Sequence, residues 1–364
     1  MRVLPVKRSA QAAAGPRAEP AIRGRGVAYD PPNRYETVHV EMEPGHYGEE
    51  KPVTEFLADA TRSIVARNQS PDVGFDASVN PYRGCEHGCV YCYARPTHEY
   101  LGFSSGLDFE RKILVKRRAP EMLREALSRP SWSPQVLGMS GVTDAYQPVE
   151  RRLRITRGCL EVLRDFRNPV AIVTKNHLVT RDVDLLSDLA GHNCVNVTIS
   201  VTTLRNELQR VMEPRTSIPA RRLDAVRRLA EAGVPVGVFV APVIPGLTDE
   251  EMPAIVSAAA EAGARYAAFL LLRLPQGVAD HFVRWLEIHF PDRRDKILAR
   301  IRDARGGRLN DPAFHRRFRG QGEYAKQIGA LFRASARKAG LDRTPPPLST
   351  AAFRRGGGVQ GDFF

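Results

Sequence analysis

Three cysteines lie within eight residues of the sequence, Cys85, Cys89 and Cys92, and their spacing is C-x3-C-x2-C. Thiolates are the usual protein ligands of iron–sulfur clusters. Three thiolates from one short loop can bind three irons of a cubane and leave the fourth iron without a protein ligand. Gly84 and Gly88 supply the backbone freedom that a tight loop around such a cluster needs. The spacing therefore favours a [4Fe–4S] cluster with one open iron.

Two other kinds of thiol site use part of this pattern. A structural zinc site needs four ligands, usually as two separated pairs, and His87 or His98 could supply the fourth. No second Cys or His pair follows at the spacing of a zinc finger, however. A redox dithiol could use Cys89 and Cys92, but it leaves Cys85 without a role. The iron–sulfur interpretation uses all three thiols.

The remaining cysteine usage indicates the compartment. Five cysteines are too few and too unevenly placed for a disulfide scaffold in a chain of 364 residues. Cys159 and Cys194 stand alone, which argues against a second full cluster and favours small buried residues. Clustered thiols suit a reducing compartment, and residues 1–20 contain no hydrophobic stretch typical of a signal peptide. We therefore predict a cytoplasmic location.

Hydrophobicity and charge restrict the partners. The longest unbroken apolar run, 266–272, has seven residues, far short of the ~20 that a membrane-spanning helix needs, so no membrane partner is expected. The chain has 54 Lys and Arg against 41 Asp and Glu, a formal charge of +13. Such a field favours polyanions, so nucleic acid is considered as a partner. A basic stretch near the C-terminus supports it and contains Arg293, Arg294, Arg305, Arg308, Arg316, Arg317 and Arg319, with Phe314 and Phe318 among them.

The elements that must position the thiols follow an alternating pattern. Apolar, β-branched runs are each followed by a stretch with helical spacing, which is typical of βα units and a parallel sheet. The predicted strands are 77–82, 136–142, 170–175, 195–201, 234–240 and 266–272. Their partner helices are predicted near 92–100, 150–166, 181–190, 219–232, 249–262 and 278–290, with another helix at 119–129.

Six βα units predict a partial (β/α)6 barrel of the TIM type, within an α/β fold class. The chemistry of such barrels sits on the loops after the strands, and the cysteine loop follows the first predicted strand. We predict that 71–290 form this core. Residues 1–70 are expected to be mostly disordered, with a helix at 53–67, and 291–364 to form a basic extension that ends in a Pro- and Gly-rich tail.

The cysteine loop resembles a known signature. The segment NPYRGCEHGCVYCYARPTHEY, with the aromatic Tyr91 directly before the third cysteine, is similar to the motif of the radical S-adenosylmethionine superfamily. Together with TDAYQPVE further on, it resembles the branch related to spore photoproduct lyase. The resemblance implies that the open iron binds S-adenosylmethionine and that one electron cleaves its S–C5′ bond to a 5′-deoxyadenosyl radical. It also implies a one-electron donor of the flavodoxin or ferredoxin type.

The same resemblance assigns expected cofactor contacts at the strand ends. Thr143 and Asp144 follow the second predicted strand, and Asp144 is expected to accept from the methionine ammonium group. An Asx turn at the start of a helix is the alternative for Asp144. Lys175 ends the third strand and could meet the methionine carboxylate, unless it is a surface lysine.

Three further contacts are expected along the barrel. Ser200 resembles a strand-four polar residue that contacts the ribose, with a satisfied strand hydroxyl as the alternative. Arg215 could bind a carboxylate in a bidentate manner. Ile244 lies in a segment, 241–246, that is similar to an adenine-contacting turn. Tyr91 joins these as a residue of the cluster motif, while Tyr93 is expected to pack.

One departure limits the resemblance. Spore photoproduct lyases are expected to carry a hydrogen-donating cysteine just before the aspartate segment of strand two. Here Met139, Ser140, Gly141 and Val142 fill that stretch, and no thiol is among them. This argues against thymine-dimer repair by that route. Two hypotheses follow: a radical enzyme with a substrate that the sequence does not specify, and a nucleic-acid-binding module whose metal site is structural.

Overall fold

The core of the fold is a sheet of parallel strands. The computed structural model describes residues 21–36 and 53–355. Within them the larger sheet has the strand order β10-β9-β8-β7-β6-β3-β2. Its strands are β2 (Val65–Arg67), β3 (Ala77–Val79), β6 (Leu137–Met139), β7 (Val170–Thr174), β8 (Val195–Ser200), β9 (Val236–Val243) and β10 (Tyr266–Leu271).

Six of these strands, from β3 to β10, pair in parallel, while β2 pairs antiparallel at the edge. Val and Ile dominate β7 and β8 because a sheet covered by helices buries both of its faces. The predicted set of six βα strands is confirmed, and so is the open, partial barrel. The second predicted strand, observed as β6, is shorter than predicted, and the fifth, observed as β9, is shifted toward the C-terminus.

Helices cover the outside of this sheet. The α-helices in the described residues are α1 (Leu107–Arg111), α2 (Ala119–Ser128), α3 (Glu150–Leu153), α4 (Ile155–Phe166), α5 (Val183–Gly191), α6 (Asn206–Met212), α7 (Pro219–Glu231), α8 (Met252–Glu261), α9 (Val278–His289), α10 (Arg294–Asp303), α11 (Arg316–Arg319) and α12 (Gly322–Lys338). In α7 the apolar residues Ala225 and Leu229, one turn apart, are buried, and Gly233 has φ of +79° just beyond the helix. The single helix predicted over 150–166 is two, because Arg154 is left-handed with φ of +55°.

A second, three-stranded sheet corrects two predictions. Its order is β1-β5-β4, built from β1 (Glu55–Ala58), β4 (Tyr82–Arg83) and β5 (Lys112–Val115). The helix predicted over 53–67 is wrong, because β1 pairs with β5 and β2 pairs with β3. An Asx turn separates β1 from β2, in which the Thr61 N–H donates to Asp59 at 2.8 Å. The first predicted strand is likewise divided between the two sheets, as β3 and β4.

The helix predicted at 92–100 is also corrected. It is a 3₁₀-helix, Arg95–Leu101, with no α-helical turn. The chain needs the preceding residues as an irregular loop to bring Cys92 beside the other thiols. Pro96 at the start of the helix and Gly102 with φ of +78° beyond it fix the two ends of this short element.

Both extensions contact the core where they are described. Residues 21–36 lie against the cysteine loop, and α12 packs on α8. The predictions for 1–20, for 37–52 and for the glycine tail at 356–358 lie outside the described residues, and the domain boundaries at 70 and 290 stay predictions. Across 21–36 and 53–355, no helix is both long and apolar enough to cross a bilayer.

Candidate active site at the carboxyl ends of the strands

The cysteine loop runs from β4 to the 3₁₀-helix. Cys85 and Cys89 are buried and Cys92 is half-buried, and none of the three takes part in a disulfide. The Cys85 N–H donates to the Phe109 carbonyl at 2.9 Å, and the Cys92 N–H donates to the Cys89 carbonyl at 3.1 Å. Burial raises the pKa of the Cys89 thiol well above its ordinary value and that of Cys92 to about 11. Metal binding here must therefore release protons.

Two glycines are required by the shape of this loop. Gly84 has φ of +78° and Gly88 has φ of +66°, a region that side chains rarely adopt. A Cβ at Gly84 would lie 2.9 Å from the His98 ring, and one at Gly88 would lie 2.7 Å from the Glu110 carboxylate. The backbone freedom predicted from sequence is therefore used. Three free thiols on a glycine-shaped loop fit a cluster that needs exactly three protein ligands.

The two histidines considered as a fourth ligand are engaged elsewhere. The Nδ1 of His87 lies 3.4 Å from the Asp144 carboxylate, and its Nε2 lies 3.2 Å from the Asn176 amide. His98 Nε2 pairs with the Lys112 carbonyl at 2.9 Å. Burial alone would lower the pKa of His87, but the sulfur of Cys85 and the Asp144 carboxylate raise it to about 10. These contacts favour a site with thiolate ligands alone.

The second predicted strand, β6, leads into residues that hold the inner side of the loop. Thr143 donates through Oγ1 to the Gly84 carbonyl at 2.7 Å. Gln147, which sequence reasoning missed, accepts from the Glu86 N–H at 2.9 Å and donates to the Gly84 carbonyl at 3.3 Å. Since Gly84 precedes the first thiol, both side chains position the loop.

Asp144 is bonded to protein groups on both oxygens. Its Oδ1 accepts from the Tyr146 N–H at 2.9 Å, which is the Asx turn considered as the alternative. It also accepts from the Thr174 hydroxyl at 2.8 Å and, through Oδ2, from the Lys175 N–H at 2.8 Å. Burial would raise the pKa of Asp144, but His87 and these donors hold it below its usual value. Binding of an ammonium group by Asp144 stays a prediction, because protein donors already occupy most acceptor positions of its carboxylate.

A buried carboxylate, Glu213, lies next to two of the predicted site residues, Tyr91 and Lys175. The Tyr91 hydroxyl donates to it, and Lys175 Nζ lies 3.6 Å from the same oxygen. Lys175 also donates to the Ser200 hydroxyl at 2.7 Å. The structure thus brings Tyr91, Lys175 and Ser200 together beneath the cluster loop. On the far side Arg222, fully buried, pairs with the second oxygen of Glu213.

The charge state of this cluster follows from its contacts. Burial would raise the pKa of Glu213, but Arg222 and Lys175 lower it to about 2, so the carboxylate is ionised. Sequence reasoning selected Arg215 from the Glu-Pro-Arg segment and missed Glu213. Arg215 points elsewhere: its guanidinium pairs with Glu86 at 2.9 Å, and its N–H donates to the His87 carbonyl at 3.2 Å. Its predicted carboxylate grip stays a prediction, although the structure does place it beside the cluster loop.

Ile244 is fully buried at the end of β9 and belongs to the apolar cluster that contains Cys89 and Tyr91. Its N–H donates to the Thr248 hydroxyl at 2.9 Å. An apolar side chain next to the loop suits the expected adenine contact, which stays a prediction.

A buried ion pair that the sequence did not reveal anchors the loop on its outer side, away from the strand ends. Arg95 is fully buried, and its guanidinium donates to the Cys89 carbonyl at 2.9 Å and to Glu110. Glu110 in turn accepts from the N–H groups of Gly26 and Val27 at 3.1 and 3.2 Å. Residues 21–36 are therefore linked to the second thiol through one carboxylate and one guanidinium.

Aromatic rings and arginines alternate across the mouth of the barrel. The Tyr93 hydroxyl donates to the Gly141 carbonyl at 2.6 Å. The Arg273 guanidinium lies 5.4 Å from the Tyr93 ring centre and 5.2 Å from that of Phe318. Arg317 continues the series, 4.9 Å from Phe318 and 4.7 Å from the exposed Phe314. We call these five residues the mouth stack.

The isolated cysteines are structural, as expected. Cys159 and Cys194 are both fully buried, and the Cys194 thiol donates to the Arg167 carbonyl at 3.2 Å. Neither belongs to the loop.

Comparison with known proteins agrees with this geometry. The family model described as the radical SAM superfamily matches residues 79–259. An uncharacterised protein of Mycobacterium tuberculosis is 34% identical over 294 residues, which is 79% of this chain and 83% of that protein. An uncharacterised protein of Methanocaldococcus jannaschii is 30% identical over 173 residues, 48% of this chain and 62% of that protein.

Solved structures share the fold. Spore photoproduct lyase complexed with dinucleoside spore photoproduct has a TM-score of 0.56 and 17% identity, over 78% of this chain and 79% of that one. A variant of that enzyme with bound AdoMet and dinucleoside spore photoproduct has a TM-score of 0.53 and 16% identity, over 78% of each chain. The motif, the open barrel and the family match lead to one conclusion: the chain belongs to the radical SAM superfamily and is a radical SAM enzyme.

Proposed function

We propose that Cys85, Cys89 and Cys92 hold the [4Fe–4S] cluster and that its open iron faces the interior of the barrel. The observation that carries this is the loop itself, which presents three free thiols around two glycines with positive φ. When bound, the cluster and S-adenosylmethionine supply the one-electron cleavage that yields a 5′-deoxyadenosyl radical. The residues of this chain orient the cofactor and exclude water.

The strand ends provide the complementary polar groups. Lys175 and Ser200 lie together at the ends of β7 and β8, and Lys175 is 16% exposed, so a carboxylate can reach its ammonium group. Tyr91 is held by Glu213 against the apolar cluster that includes Ile244. We infer that Lys175 meets the methionine carboxylate, Ser200 the ribose and Ile244 the adenine. Thr143, Asp144 and Arg215 fix the loop that carries the cluster.

The experiment compares the loop thiols with the isolated ones. Each of Cys85, Cys89 and Cys92 is replaced by alanine, and Cys159→Ala serves as the matched control. After anaerobic reconstitution and dithionite reduction, the wild type and the control should contain about four irons per chain and release 5′-deoxyadenosine. The three loop variants should lose both. A loop variant that keeps its iron and its nucleoside release contradicts the assignment.

A second observation favours nucleic acid as the substrate class. The mouth stack runs from Tyr93, next to the third thiol, to the exposed Phe314. Bases stack on aromatic side chains and on guanidinium planes, and arginines bind phosphates. The formal charge of +13 adds attraction for a polyanion. We infer that an unstacked base can enter between rings of the mouth stack. We also infer a cytoplasmic location for the enzyme.

Binding of a fluorescent single-stranded oligonucleotide tests this inference. Phe318→Ala should weaken binding by about 1–3 kcal/mol, the usual contribution of one base–aromatic stack. Phe290→Ala, an aromatic residue that packs against Trp285 and is not part of the mouth stack, is the control. Affinity should also fall as salt rises. Equal affinity of Phe318→Ala and wild type would refute the stacking role and leave the radical chemistry untouched.

A further inference from the structure

The cluster loop has two sides with different neighbours. Its inner side faces the strand ends, where Thr143 bonds Gly84 and Glu213 accepts from Tyr91. Its outer side is covered by residues 26 and 27. A Cβ at Gly26 would lie 1.7 Å from the Gly88 carbonyl, so the backbone of residue 26 rests directly on the loop. Gly26 and Val27 are themselves buried, so the N-terminal segment is packed into the protein on this side of the loop.

The three-stranded sheet β1-β5-β4 lies on this outer side. β4 ends at Arg83, two residues before Cys85, and the Lys116 N–H beyond β5 donates to the Pro81 carbonyl at 3.0 Å. Arginines surround β1 and its flanks. Those that contact residues 54–61 are Arg25, Arg83, Arg111, Arg152 and Arg215. We call these five residues the outer arginine face.

Two acidic partners of the outer arginine face lie underneath it, since the side chains of Asp59 and Glu86 are 4% and 3% exposed. A third, Glu55, pairs with Arg111 and is 49% exposed. The arginine side chains of Arg83, Arg111 and Arg215 are 37%, 27% and 30% exposed. Arg152 is exposed and lies 5.1 Å from the ring centre of the half-buried Phe56. The surface thus presents the guanidinium groups of Arg83, Arg152 and Arg215 without an exposed ion-pair partner among the described residues, and Arg111 beside the exposed Glu55.

We propose that the outer arginine face is where an acidic one-electron donor docks to reduce the cluster. The inference rests on the radical SAM function. In the step, the donor loses one electron and the cluster gains it, with no proton or atom transferred. Electron tunnelling falls steeply with distance, so a donor must dock close to the cluster loop, and β4 in this sheet ends two residues before Cys85. Docking at the mouth would compete with the substrate, whereas the outer side leaves the mouth open.

The partner chemistry follows from the charge. Flavodoxins and ferredoxins are small acidic carriers, and complementary charge mainly accelerates their association. The guanidinium groups can also bond carboxylates in a bidentate manner. The buried Arg95–Glu110 pair and the Arg215–Glu86 pair connect this face to the carbonyl of Cys89 and to residue 86 of the loop. The docking face and the cluster ligands are therefore mechanically joined.

The test separates protein-driven from chemical reduction. Arg152→Glu is the main variant, because this side chain is exposed and its described contact is with Phe56. Arg337→Glu on α12, also exposed, is the control for the same change of net charge. 5′-Deoxyadenosine formation is measured with flavodoxin hydroquinone at several concentrations, and in parallel with dithionite. Arg152→Lys retains the charge and should restore the wild-type rate.

The expected result is a loss specific to the protein donor. Arg152→Glu should lower kcat/KM for flavodoxin roughly tenfold at low salt, within the range of electrostatic steering, with less effect at high salt. Iron content and the dithionite-driven rate should equal those of the wild type. Equal flavodoxin kinetics in Arg152→Glu and wild type, or an equal loss in Arg337→Glu, would overturn the docking site. Absence of dithionite-driven product from the wild type would instead refute the radical chemistry.

Discussion

Replacement of Glu213 by glutamine isolates the buried charge beneath the cluster loop. Glu213 is fully buried and accepts from Tyr91, from Arg222 and from the Thr202 hydroxyl at 2.7 Å. The amide keeps the shape but removes the negative charge. Arg222 and Lys175 are then left as two cations around a neutral group. The variant therefore tests whether this carboxylate organises the site.

The magnitude can be estimated from the contacts. Breaking a buried ion pair by removing one charge costs about 3–5 kcal/mol. Arg222 retains the Ser200 carbonyl at 3.0 Å and the Ser217 carbonyl at 2.8 Å, so we expect the low end of this range. For a domain of this size, a loss of about 3 kcal/mol lowers Tm by roughly 6–10 °C. Glu231→Gln, an exposed carboxylate paired with Arg227, should change Tm very little.

The pH dependence gives an independent check on this carboxylate. The folded-state pKa of Glu213 is lowered to about 2, below its unfolded value, so its charge stabilises the protein above the unfolded pKa. The difference in unfolding free energy between wild type and Glu213→Gln should be constant from pH 5 to 8. It should shrink as the pH falls below about 4.3 toward 2. Thermal unfolding of the cluster-loaded protein under anaerobic conditions measures both effects, and a Tm within about 2 °C of wild type at pH 7 would refute the reasoning.

Two other substitutions probe the loop and a buried imidazole. Gly88→Ala should lower iron occupancy and reduce the free energy of unfolding by more than about 1–2 kcal/mol, because φ at this position is +66° and the new Cβ would lie 2.7 Å from Glu110. Gly74→Ala, with open space around it, is the control. Normal iron loading in Gly88→Ala would contradict the prediction. His281 is buried, finds no hydrogen-bond partner within 21–36 and 53–355, and has its pKa lowered by burial to about 3. Because only the unfolded state takes up the proton between pH 6.5 and 5, the wild type should lose about 2 kcal/mol of stability over this range, and His281→Leu should not. Urea unfolding of both proteins as a function of pH measures the difference. Parallel pH profiles would show that the imidazole does not titrate in this way.

The sequence predicted the parts of this fold that depend on local pattern. β7 is an apolar run over 170–173 because both of its faces are covered, and the helix predicted at 219–232 is present as α7. The three thiols also lie within one short segment, so their spacing could be identified from the sequence alone. β1, β2 and β4, with two to four residues each, are too short for periodicity to distinguish them from a helix or a loop. Their pairing with distant strands decides their conformation.

The contacts that shape the site are between residues far apart in sequence. Glu213 and Tyr91 are separated by 122 positions, and Glu110 and Gly26 by 84. No spacing rule connects such pairs, so Glu213, Arg95 and Gln147 were not identified in advance. Asp144 and Lys175 were identified because the resemblance to the radical S-adenosylmethionine superfamily implies cofactor contacts at the strand ends. Their partners were not, because the same side chain can bind a ligand or a neighbouring turn.

The arrangement of charges around the loop explains why both sides can operate together. On the inner side, the ionised Glu213 fixes Tyr91 and Lys175, so the side chains proposed to meet the cofactor are already held in place. On the outer side, Glu110 is held between Arg95 and the N–H groups of residues 26 and 27. Each carboxylate is neutralised by a buried arginine, so neither leaves an uncompensated charge next to the thiols. The proposed reduction adds negative charge to this region, and the outer arginine face contributes positive charge beside the loop.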